Sequence, residues 1–259
     1  MTDKPRALII GGGNGIGEAA ALLMHARGWR VIVADRDADA AGRVAASIDG
    51  TARCLDITDE AALNQAAEKE ESRGGIAALV VCAALFQDIM PPEAYPTADW
   101  ERTIGVNLTG TWLANRAFGS RMARRGAGAI VNIASIAALG SVPVHAYGSS
   151  KAAVVALTQN LAGEWGRSGV RVNCVSPGST LVPRVQARLA TGRYAAHPKE
   201  FTALGRAVEP NEVAEAIEFL ASPRASAITG VNLVVDCGWE VASTWAQYGG
   251  VRASYAPPT

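Results

Sequence analysis

Short apolar runs rich in β-branched residues alternate with alanine-rich stretches from one end of the chain to the other. The runs are almost continuously apolar, which is typical of strands buried on both faces of a parallel sheet. Repeated β-α-β units with right-handed crossovers then predict an α/β fold, a doubly wound parallel sheet of about seven strands with helices on both faces. The predicted strands are Ala7–Ile10, Arg30–Ala34, Ala52–Leu55, Ala78–Cys82, Ala129–Ile133, Val170–Val175 and Val231–Val235. The predicted helices cover about residues 15–27, 38–48, 59–72, 98–125, 146–167 and 210–221.

The length of the chain suits a single domain. Its 259 residues contain no evident linker, so we predict one domain over residues 1–259 with a sizeable core. Residues 179–208 look irregular and contain several prolines and glycines, which is typical of a substrate-binding loop. Residues 238–259 form a C-terminal tail that carries Trp239, Trp245 and Tyr248. This tail is expected to pack on a neighbouring subunit, over a pocket, or simply on its own domain.

Composition argues against several kinds of partner. The formal net charge is zero and no basic stripe is present, so we expect neither nucleic acid nor an anionic membrane surface as a partner. The run Ala7–Ile10 is too short for a signal peptide or a membrane span, and we expect a cytoplasmic protein. The four cysteines form no C-x-x-C pair and are expected to be buried free thiols: Cys54, Cys82, Cys174 and Cys237. The histidines are scattered, so no metal site is expected.

The first predicted strand ends in a glycine-rich loop that opens directly into a helix. Five of the seven residues from Gly11 to Gly17 are glycine, in the spacing Gly-x-x-x-Gly-x-Gly. Glycines let the backbone turn tightly and approach a pyrophosphate, whose charge is stabilised at the N-terminus of the following helix. A plain strand-to-helix turn is the alternative. The strand–loop–helix context favours a dinucleotide site. Its expected contacts are Gly11, Asn14, Gly15, Ile16 and Gly17.

An acidic residue at the end of the second strand favours one form of the dinucleotide. Asp35 lies eighteen residues after Gly17, where a carboxylate can accept hydrogen bonds from the adenosine ribose and would repel a 2′-phosphate. We therefore expect NAD rather than NADP. Arg36 argues the other way, because a guanidinium could bind that phosphate. Asp56 and Ile57 follow the third strand, where the adenine should lie, although Asp56 could equally be the acid of a helix-starting turn.

Tyr147 and Lys151 are four residues apart in a predicted helix, so they lie on one face and one turn apart. The pKa of a tyrosine is about 10 in water, and an adjacent ammonium favours the charged form. Lowering that pKa to neutral pH requires about three units, or roughly 4 kcal/mol. A close, partly desolvated ammonium could supply much of this. A phenol of this kind can exchange a proton with a carbinol oxygen. Alone, the pair also occurs by chance on solvated helix faces.

The glycine loop, Asn107, Ser135 and Tyr147-x-x-x-Lys151 together, in this order, resemble the short-chain dehydrogenase/reductase family over nearly the whole chain. The resemblance implies a Rossmann-like fold, a homotetramer and a catalytic tetrad. Tyr147 would be the acid/base on the substrate oxygen, and Lys151 would lower its pKa and hold the nicotinamide ribose. Ser135 would hydrogen-bond the substrate oxygen, and Asn107 would anchor a water of the proton relay. Taken singly, Ser135 could be a turn or cap residue and Asn107 a polar helix residue bonded to backbone.

The chain departs from the family pattern around the cofactor. Ile10 stands where a threonine is usual, which removes one side-chain hydrogen bond behind the glycine loop. The residues after the fourth strand lack the usual asparagines, although Ala83 can still line the adenosine ribose through its backbone. Val182 stands where a threonine commonly contacts the nicotinamide amide, and Thr180 is the candidate substitute. The nicotinamide contacts expected after the sixth strand are Pro177, Gly178 and Thr180.

The segments around Tyr147 and Gly178 look like those of dihydrodihydroxybenzoate dehydrogenases, which hints at a cyclic secondary alcohol. We therefore predict an NAD-dependent secondary-alcohol dehydrogenase or ketone reductase that acts on a small, cyclic molecule. His145 could face the pocket or be an ordinary loop residue. The charged and aromatic side chains of the irregular segment could bind an anionic substrate group or be solvated: Arg184, Arg193, Tyr194 and His197.

Two other functions are compatible with parts of the sequence. An NADPH ketoreductase of the fatty-acid or polyketide type is disfavoured by Asp35 and by the absence of a basic patch for a carrier protein. A non-catalytic nucleotide-sensing module would be expected to have lost Tyr147 or Lys151, and both are present.

Overall fold

The structure, a computed structural model, describes residues 4–191 and 198–253. Seven strands form one parallel sheet in the order β3-β2-β1-β4-β5-β6-β7. They are β1 Arg6–Ile10, β2 Arg30–Asp35, β3 Thr51–Cys54, β4 Ala78–Val81, β5 Gly128–Ile133, β6 Val170–Pro177 and β7 Asn232–Val235. The predicted doubly wound parallel sheet is confirmed.

Helices follow the strands and cover both faces of the sheet. Among the described residues they are α1 Gly15–Ala26, α2 Ala38–Ser47, α3 Glu60–Glu71, α4 Thr97–Ile104, α5 Thr111–Arg125, α6 His145–Trp165, α7 Pro183–Ala190, α8 Pro210–Ala221 and α9 Trp239–Ala242. None of the helices in this part of the chain combines the length and the apolar character needed to cross a lipid bilayer.

Alternate residues of each central strand face opposite helix layers. Ala7 and Ile9 of β1 belong to a core shared with α1, α2 and α8. Leu8 and Ile10 belong to a second core, shared with α3, α5 and α6. Both sets are almost fully buried, and this two-sided burial is the physical reason for the continuous apolar runs.

The edge strand β3 differs from this pattern. It pairs only with β2 in the described sheet and its side chains are largely exposed, so the prediction of burial on both faces is wrong for Thr51–Cys54. The prediction of four buried thiols is wrong for the same reason at Cys54, which is exposed. Cys174 and Cys237 are buried and Cys82 is half-buried, and all four thiols are free.

Two other segments differ from the sequence prediction. The helix predicted over residues 98–125 is interrupted by a wider, π-type turn at Gly105–Gly110, which separates α4 from α5. Such turns carry one extra residue and are frequent at functional sites. The irregular segment 179–208 contains a helix of two turns, α7. Proline at the first position of α7 has the backbone angle that a helix start requires, so Pro183 favours the helix instead of disrupting it.

The two halves of the sheet meet between β1 and β4. From β1 the chain builds outward through β2 to β3, then returns to the other side of β1 and builds outward from β4 to β7. Ile10 at the end of β1 pairs with Ala34 and with Val81, so the loops after these three strands lie side by side. In such sheets ligands bind at this position, outside the carboxyl ends of the strands.

A buried carboxylate connects β1, β3 and α3 in the first half of the sheet. Glu70 of α3 is 2% exposed and forms ion pairs with Arg6 of β1 and, at 2.5 Å, with Arg53 of β3. Burial alone would raise the pKa of Glu70, but hydrogen bonds from Arg53 and Arg6 lower it below its ordinary value. The carboxylate therefore stabilises the folded state in its charged form.

We predict that Glu70→Gln lowers the free energy of unfolding by about 2–3 kcal/mol at pH 7, because two partly buried arginines lose their partner. Glu71→Gln, which removes an exposed pair with Arg125, should cost less than about 1 kcal/mol. Because the pKa of Glu70 is lowered, its contribution should disappear as the pH falls below about 4. Urea unfolding of both variants at pH 7 and at about pH 3 measures this. Equal losses for the two variants would contradict the prediction.

Candidate active site

The loop between β1 and α1 leaves no room for side chains. Gly11 has a φ of +81°, and a Cβ there would lie 2.7 Å from the Cα of Ala83. A Cβ on Gly17 would overlap the carbonyl oxygen of Gly11, and one on Gly12 would lie 2.9 Å from a Val33 methyl. Asn14, at the N-cap of α1, makes no side-chain cap hydrogen bond, so the first N–H groups of the helix are left for an anion. This geometry fits a pyrophosphate, since glycine backbone is closely packed against a helix N-terminus.

A cavity of about 230 Å³ lies on one side of this loop. Its lining includes every residue predicted for the adenosine end of the dinucleotide, and we call it the adenosine cavity. Its lining consists of Ile10, Gly11, Asn14, Asp35, Arg36, Leu55, Asp56, Ile57, Cys82, Ala83, Ala84, Leu85 and Val106.

Asp35 has a structural role in addition to lining the cavity. Its Oδ2 accepts a hydrogen bond from the Gly13 N–H at 3.0 Å, and its Oδ1 accepts one from the Asp37 N–H at 3.1 Å. Each carboxylate oxygen can accept more than one hydrogen bond, so ribose hydroxyls can be bound at the same time. The acid therefore fixes the glycine loop and presents a negative charge to the cavity.

Asp56 is both a turn acid and a lining residue of the adenosine cavity, the two alternatives that its position in the sequence suggested. Its Oδ1 accepts hydrogen bonds from the N–H of Thr58 at 2.8 Å and from its hydroxyl at 2.7 Å, so it is the acid of a turn. It also lines the adenosine cavity beside Arg36. The hydrogen bonds from Thr58, assisted by the charge of Arg36, lower the pKa of Asp56.

A second cavity, of about 620 Å³, lies on the other side of the glycine loop, and we call it the catalytic cavity. Three members of the predicted tetrad line it, namely Ser135, Tyr147 and Lys151. The predicted cofactor contacts among its lining residues are Gly11, Asn14, Gly15, Ile16, Gly17, Pro177, Gly178 and Thr180. The two cavities share Gly11, Asn14, Cys82 and Ala84, so they form one crevice along the carboxyl edge of the sheet.

Helix α6 carries both Tyr147 and Lys151 on the face turned to this cavity. The Lys151 Nζ lies 5.6 Å from the centroid of the Tyr147 ring and donates a hydrogen bond to the carbonyl oxygen of Ile133 at 2.7 Å. Burial lowers the pKa of Lys151 to about 8. The nearby thiols of Cys82 and Cys174 are neutral, because burial raises their pKa values to about 12 and about 11.

Ser135 follows β5 and begins a short 3₁₀ turn. Its Oγ accepts a hydrogen bond from the Ala137 N–H at 3.2 Å, so it is a turn residue as well as part of the cavity wall. Because the oxygen is used as an acceptor, the hydroxyl hydrogen is directed elsewhere and can reach a substrate oxygen.

Asn107 lies behind the cavity wall instead of lining it. It is buried in the π-type turn, where its Oδ1 accepts from the Leu85 N–H at 2.7 Å. Its Nδ2 donates to the Leu85 carbonyl at 2.9 Å and to the Ser150 Oγ at 3.0 Å. Ser150 in turn donates to the Tyr147 carbonyl at 2.7 Å. The amide thus connects the loop after β4 to the helix of the proposed acid/base, and its role as a water anchor stays a prediction.

Sequence reasoning missed two residues of the loop after β4. The ring of Phe86 lies 4.6 Å from that of Tyr147, at an interplanar angle of 53°. The Oε1 of Gln87 accepts a hydrogen bond from the Tyr147 N–H at 2.9 Å. The N-cap position of α6 is Val144, which has no polar side chain, so Gln87 satisfies this N–H from another element. The partners are sixty residues apart in sequence, and no local pattern indicates the contact.

The remaining candidates divide between the cavity and its surroundings. Arg184 and Trp239 line the catalytic cavity, so the C-terminal tail begins by packing on a pocket, whereas Trp245 and Tyr248 are exposed. His145 is the first residue of α6 and is not among the described lining residues. Thr180 lines the cavity with its hydroxyl donating to the Gly178 carbonyl at 3.0 Å. Three predicted residues lie outside the described part of the chain: Arg193, Tyr194 and His197.

We predict that Gly17→Ala abolishes dinucleotide binding and lowers the free energy of unfolding by about 2 kcal/mol or more, because the new methyl overlaps the Gly11 carbonyl. Gly42→Ala is the matched control. Gly42 lies in α2, and a Cβ there would have nothing within 4 Å, so this change should leave binding intact and stabilise the helix by about 0.5–1 kcal/mol. NADH fluorescence titration and urea unfolding measure both effects. Normal NADH binding by Gly17→Ala would contradict the assignment of the loop.

Most of the chain is similar to a protein family and to known proteins. Residues 11–240 match the family model described as enoyl-(acyl carrier protein) reductase. The D-threitol dehydrogenase of Mycolicibacterium smegmatis is 36% identical over 245 residues, 92% of this chain and 94% of the relative. The cis-4-hydroxycyclohexanecarboxylate dehydrogenase of Sinomonas cyclohexanicum is 38% identical over 242 residues, 90% of this chain and 95% of the relative.

Solved structures give the same result. A crystal structure of a protein named ribose-5-phosphate isomerase, from Brucella melitensis 16M, matches with a TM-score of 0.93 at 48% identity and covers 96% of this chain and 98% of its own. The structure of ElxO with NADP bound matches with a TM-score of 0.86 at 29% identity and covers 92% and 99%. The relatives include dehydrogenases of polyols and of cyclic alcohols. The chain belongs to the short-chain dehydrogenase/reductase family of oxidoreductases.

Proposed function

We propose that this protein is an NAD-dependent dehydrogenase or ketone reductase that interconverts a small, cyclic secondary alcohol and its ketone. The observation that carries the proposal is the joint presence of Ser135, Tyr147 and Lys151 on the wall of the catalytic cavity, which adjoins the glycine loop. When bound, NAD supplies the hydride acceptor or donor. The protein supplies binding, orientation and the movement of one proton.

Each polar group of the site has a distinct part in that proton movement. In the oxidative direction the Tyr147 oxygen takes the proton of the carbinol, and the Ser135 hydroxyl donates a hydrogen bond to the same oxygen. The Lys151 ammonium stabilises the negative charge of the phenolate. Because the pKa of Lys151 is about 8, this side chain is mostly charged at neutral pH and loses its charge in mildly alkaline solution. We assign two roles to Asn107. It holds the helix that carries Tyr147, and it binds the water through which the proton returns to solvent.

The choice of NAD depends on the charges in the adenosine cavity. Asp35 presents its carboxylate there, where a 2′-phosphate would be repelled. Arg36 lines the same cavity, and the related ElxO binds NADP, so an NADP enzyme is the principal alternative. We favour NAD because the Asp35 carboxylate is fixed in position by two backbone N–H groups, which limits its movement away from an incoming phosphate.

The choice of a cyclic substrate depends on the walls of the catalytic cavity. Beyond the polar residues next to the glycine loop, these walls are mostly apolar, and they include Phe86, Ile136, Val142 and Trp239. Apolar walls bind the carbon atoms of a ring better than an extended polyol, whose hydroxyls would lose their hydrogen bonds to water. The related cis-4-hydroxycyclohexanecarboxylate dehydrogenase acts on a ring of this kind. Because a D-threitol dehydrogenase is also among the relatives, an open-chain polyol is the alternative substrate.

Sugar-phosphate isomerisation, the activity in the name of the Brucella protein, is not carried over to this chain. The described residues that line the catalytic cavity include no aspartate or glutamate that could move a proton between neighbouring carbons. The glycine loop, the adenosine cavity and the Tyr147–Lys151 pair are explained together by a dinucleotide-dependent reaction. Ribose 5-phosphate therefore serves as a negative control among the test substrates.

We also propose a homotetrameric, cytoplasmic enzyme that is one domain over residues 1–259. The outer surface of α6 carries the small exposed residues Ala152, Ala156 and Gly163, which allow a second helix to approach closely. Close packing of α6 against its copy in another subunit would hold the helix of Tyr147 and Lys151 in position. Light scattering of the purified protein gives the oligomeric state.

We predict that Tyr147→Phe lowers kcat for a cyclic secondary alcohol by at least about a hundredfold, because the proton acceptor is lost while the ring that packs on Phe86 is kept. NADH binding should not change. Tyr95→Phe is the matched control, since that hydroxyl contacts Thr103 away from the cavity, at 3.3 Å. Absorbance at the nicotinamide band, with NAD and a panel of cyclohexanols, measures turnover. Equal rates for Tyr147→Phe and the wild type would rule out the mechanism.

We predict that the wild type prefers NAD and that Asp35→Asn lowers the ratio of kcat/KM for NAD to that for NADP by about tenfold or more. The amide keeps an acceptor oxygen for the Gly13 N–H but no longer repels a phosphate. Arg36→Gln should change the ratio in the opposite direction. A wild type that turns over only with NADP would mean that Arg36 determines the cofactor instead.

A further inference from the structure

The catalytic cavity has an unequal distribution of charge. Among the described residues that line it, Lys151 and Arg184 are basic and none is an aspartate or glutamate. Lys151 is buried and bonded to the Ile133 carbonyl, whereas Arg184 is exposed. A concave site with cations and no carboxylate has a positive potential, which favours an anionic ligand.

Arg184 is held at a defined position relative to the proposed acid/base. It is the second residue of α7, and its guanidinium carbon lies 4.3 Å from the centroid of the Phe86 ring. The other neighbour of Phe86 is Tyr147, whose ring centroid is 4.6 Å away. Phe86 thus spaces the two groups, and the guanidinium is at most about 9 Å from the Tyr147 ring centroid. A small molecule can reach both groups at once.

The walls between Arg184 and Tyr147 determine which kind of molecule can span the two groups. They are apolar, with Ile89, Val142, Val185, Phe201 and Trp239. A carbon ring fits them, because its hydrogen atoms lose little on leaving water. One exposed guanidinium suits a carboxylate, which it can bind through two parallel N–H groups. A phosphate group usually requires several donors, and the described wall offers no second exposed cation.

We propose that Arg184 is a specificity-determining residue that binds the carboxylate of the substrate, and that the substrate is a small ring-containing hydroxy acid or its oxo acid. The proposal rests on the proposed function and names the substrate class of the same site. The carbinol carbon lies at Tyr147 and the carboxylate at the α7 side of the cavity. Neutral cyclic alcohols are then poorer substrates than the corresponding acids.

Arg188 offers a matched control on the same helix. Its guanidinium also lies over the Phe86 ring, 5.0 Å from the centroid, and pairs with Asp88 at 2.9 Å, but Arg188 is not among the described residues that line the cavity. Arg184→Gln and Arg188→Gln each remove one cation that stacks on Phe86. Only the former removes a charge from the cavity wall, so a difference between the two variants separates recognition of the substrate from support of α7.

The test compares 3- and 4-hydroxycyclohexanecarboxylates with their neutral carboxamides, using the full-length enzyme and NAD. In the wild type, kcat/KM for at least one acid should exceed that for its amide about tenfold or more. Arg184→Gln should abolish this preference, whereas Arg188→Gln should retain it. Equal preference in the wild type and Arg184→Gln, or no preference in the wild type, would overturn the proposal.

A binding experiment separates this proposal from the proposed function. Cyclohexanecarboxylate and cyclohexanecarboxamide, which carry no carbinol, are titrated calorimetrically into the NADH complex of each variant. Tighter binding of the acid that is lost in Arg184→Gln supports the carboxylate site even if no alcohol of the panel is oxidised. Equal binding of acid and amide by the wild type would overturn it even if neutral alcohols are oxidised rapidly.

Discussion

The proposed mechanism depends on a charged group in a place that disfavours charge. The Lys151 side chain is 3% exposed, and burial lowers its pKa from 10.5 to about 8. Below pH 8 the folded protein therefore carries an ammonium at a cost of about 3 kcal/mol relative to water. Between these two pKa values the unfolded chain binds more protons, so this cost falls as the pH rises. The Ile133 carbonyl, placed 2.7 Å from the nitrogen by β5, stabilises the ammonium, and the Tyr147 ring centroid lies 5.6 Å from it.

The loop after β4 is the mechanical support of that arrangement. Asn107 holds both backbone groups of Leu85, Phe86 packs on the Tyr147 ring, and Gln87 satisfies the Tyr147 N–H. Asn107 lies in the π-type turn, and from there its amide contacts both this loop and Ser150. The loop after β4, the π-type turn and α6 thus together hold Tyr147 in position.

Much of the fold could be predicted because a strand buried on both faces of a parallel sheet is apolar at every position, which is visible in the local sequence. Ala7–Ile10 is apolar on both faces because both faces are covered, and the glycine spacing fixes the loop that follows. The prediction failed at β3, where Thr51–Cys54 is not continuously apolar and the strand lies at the edge of the sheet. The wide turn at Gly105–Gly110 interrupts a segment whose helical pattern continues on both sides. The contact of Gln87 with Tyr147 joins residues far apart in sequence, and only the tertiary structure reveals it.

The central position of β1 has a consequence for how the chain folds during synthesis. The partners of β1 on its two sides are β2, which follows closely, and β4, which begins at Ala78. About 70 residues are added between β1 and β4, which takes several seconds at about 5–20 residues per second. Until β4 is added, one edge of β1 exposes unpaired N–H and C=O groups, with which another strand could pair. In this interval a nascent chain of this topology has a central strand with one unpaired edge, and such edges are prone to aggregation.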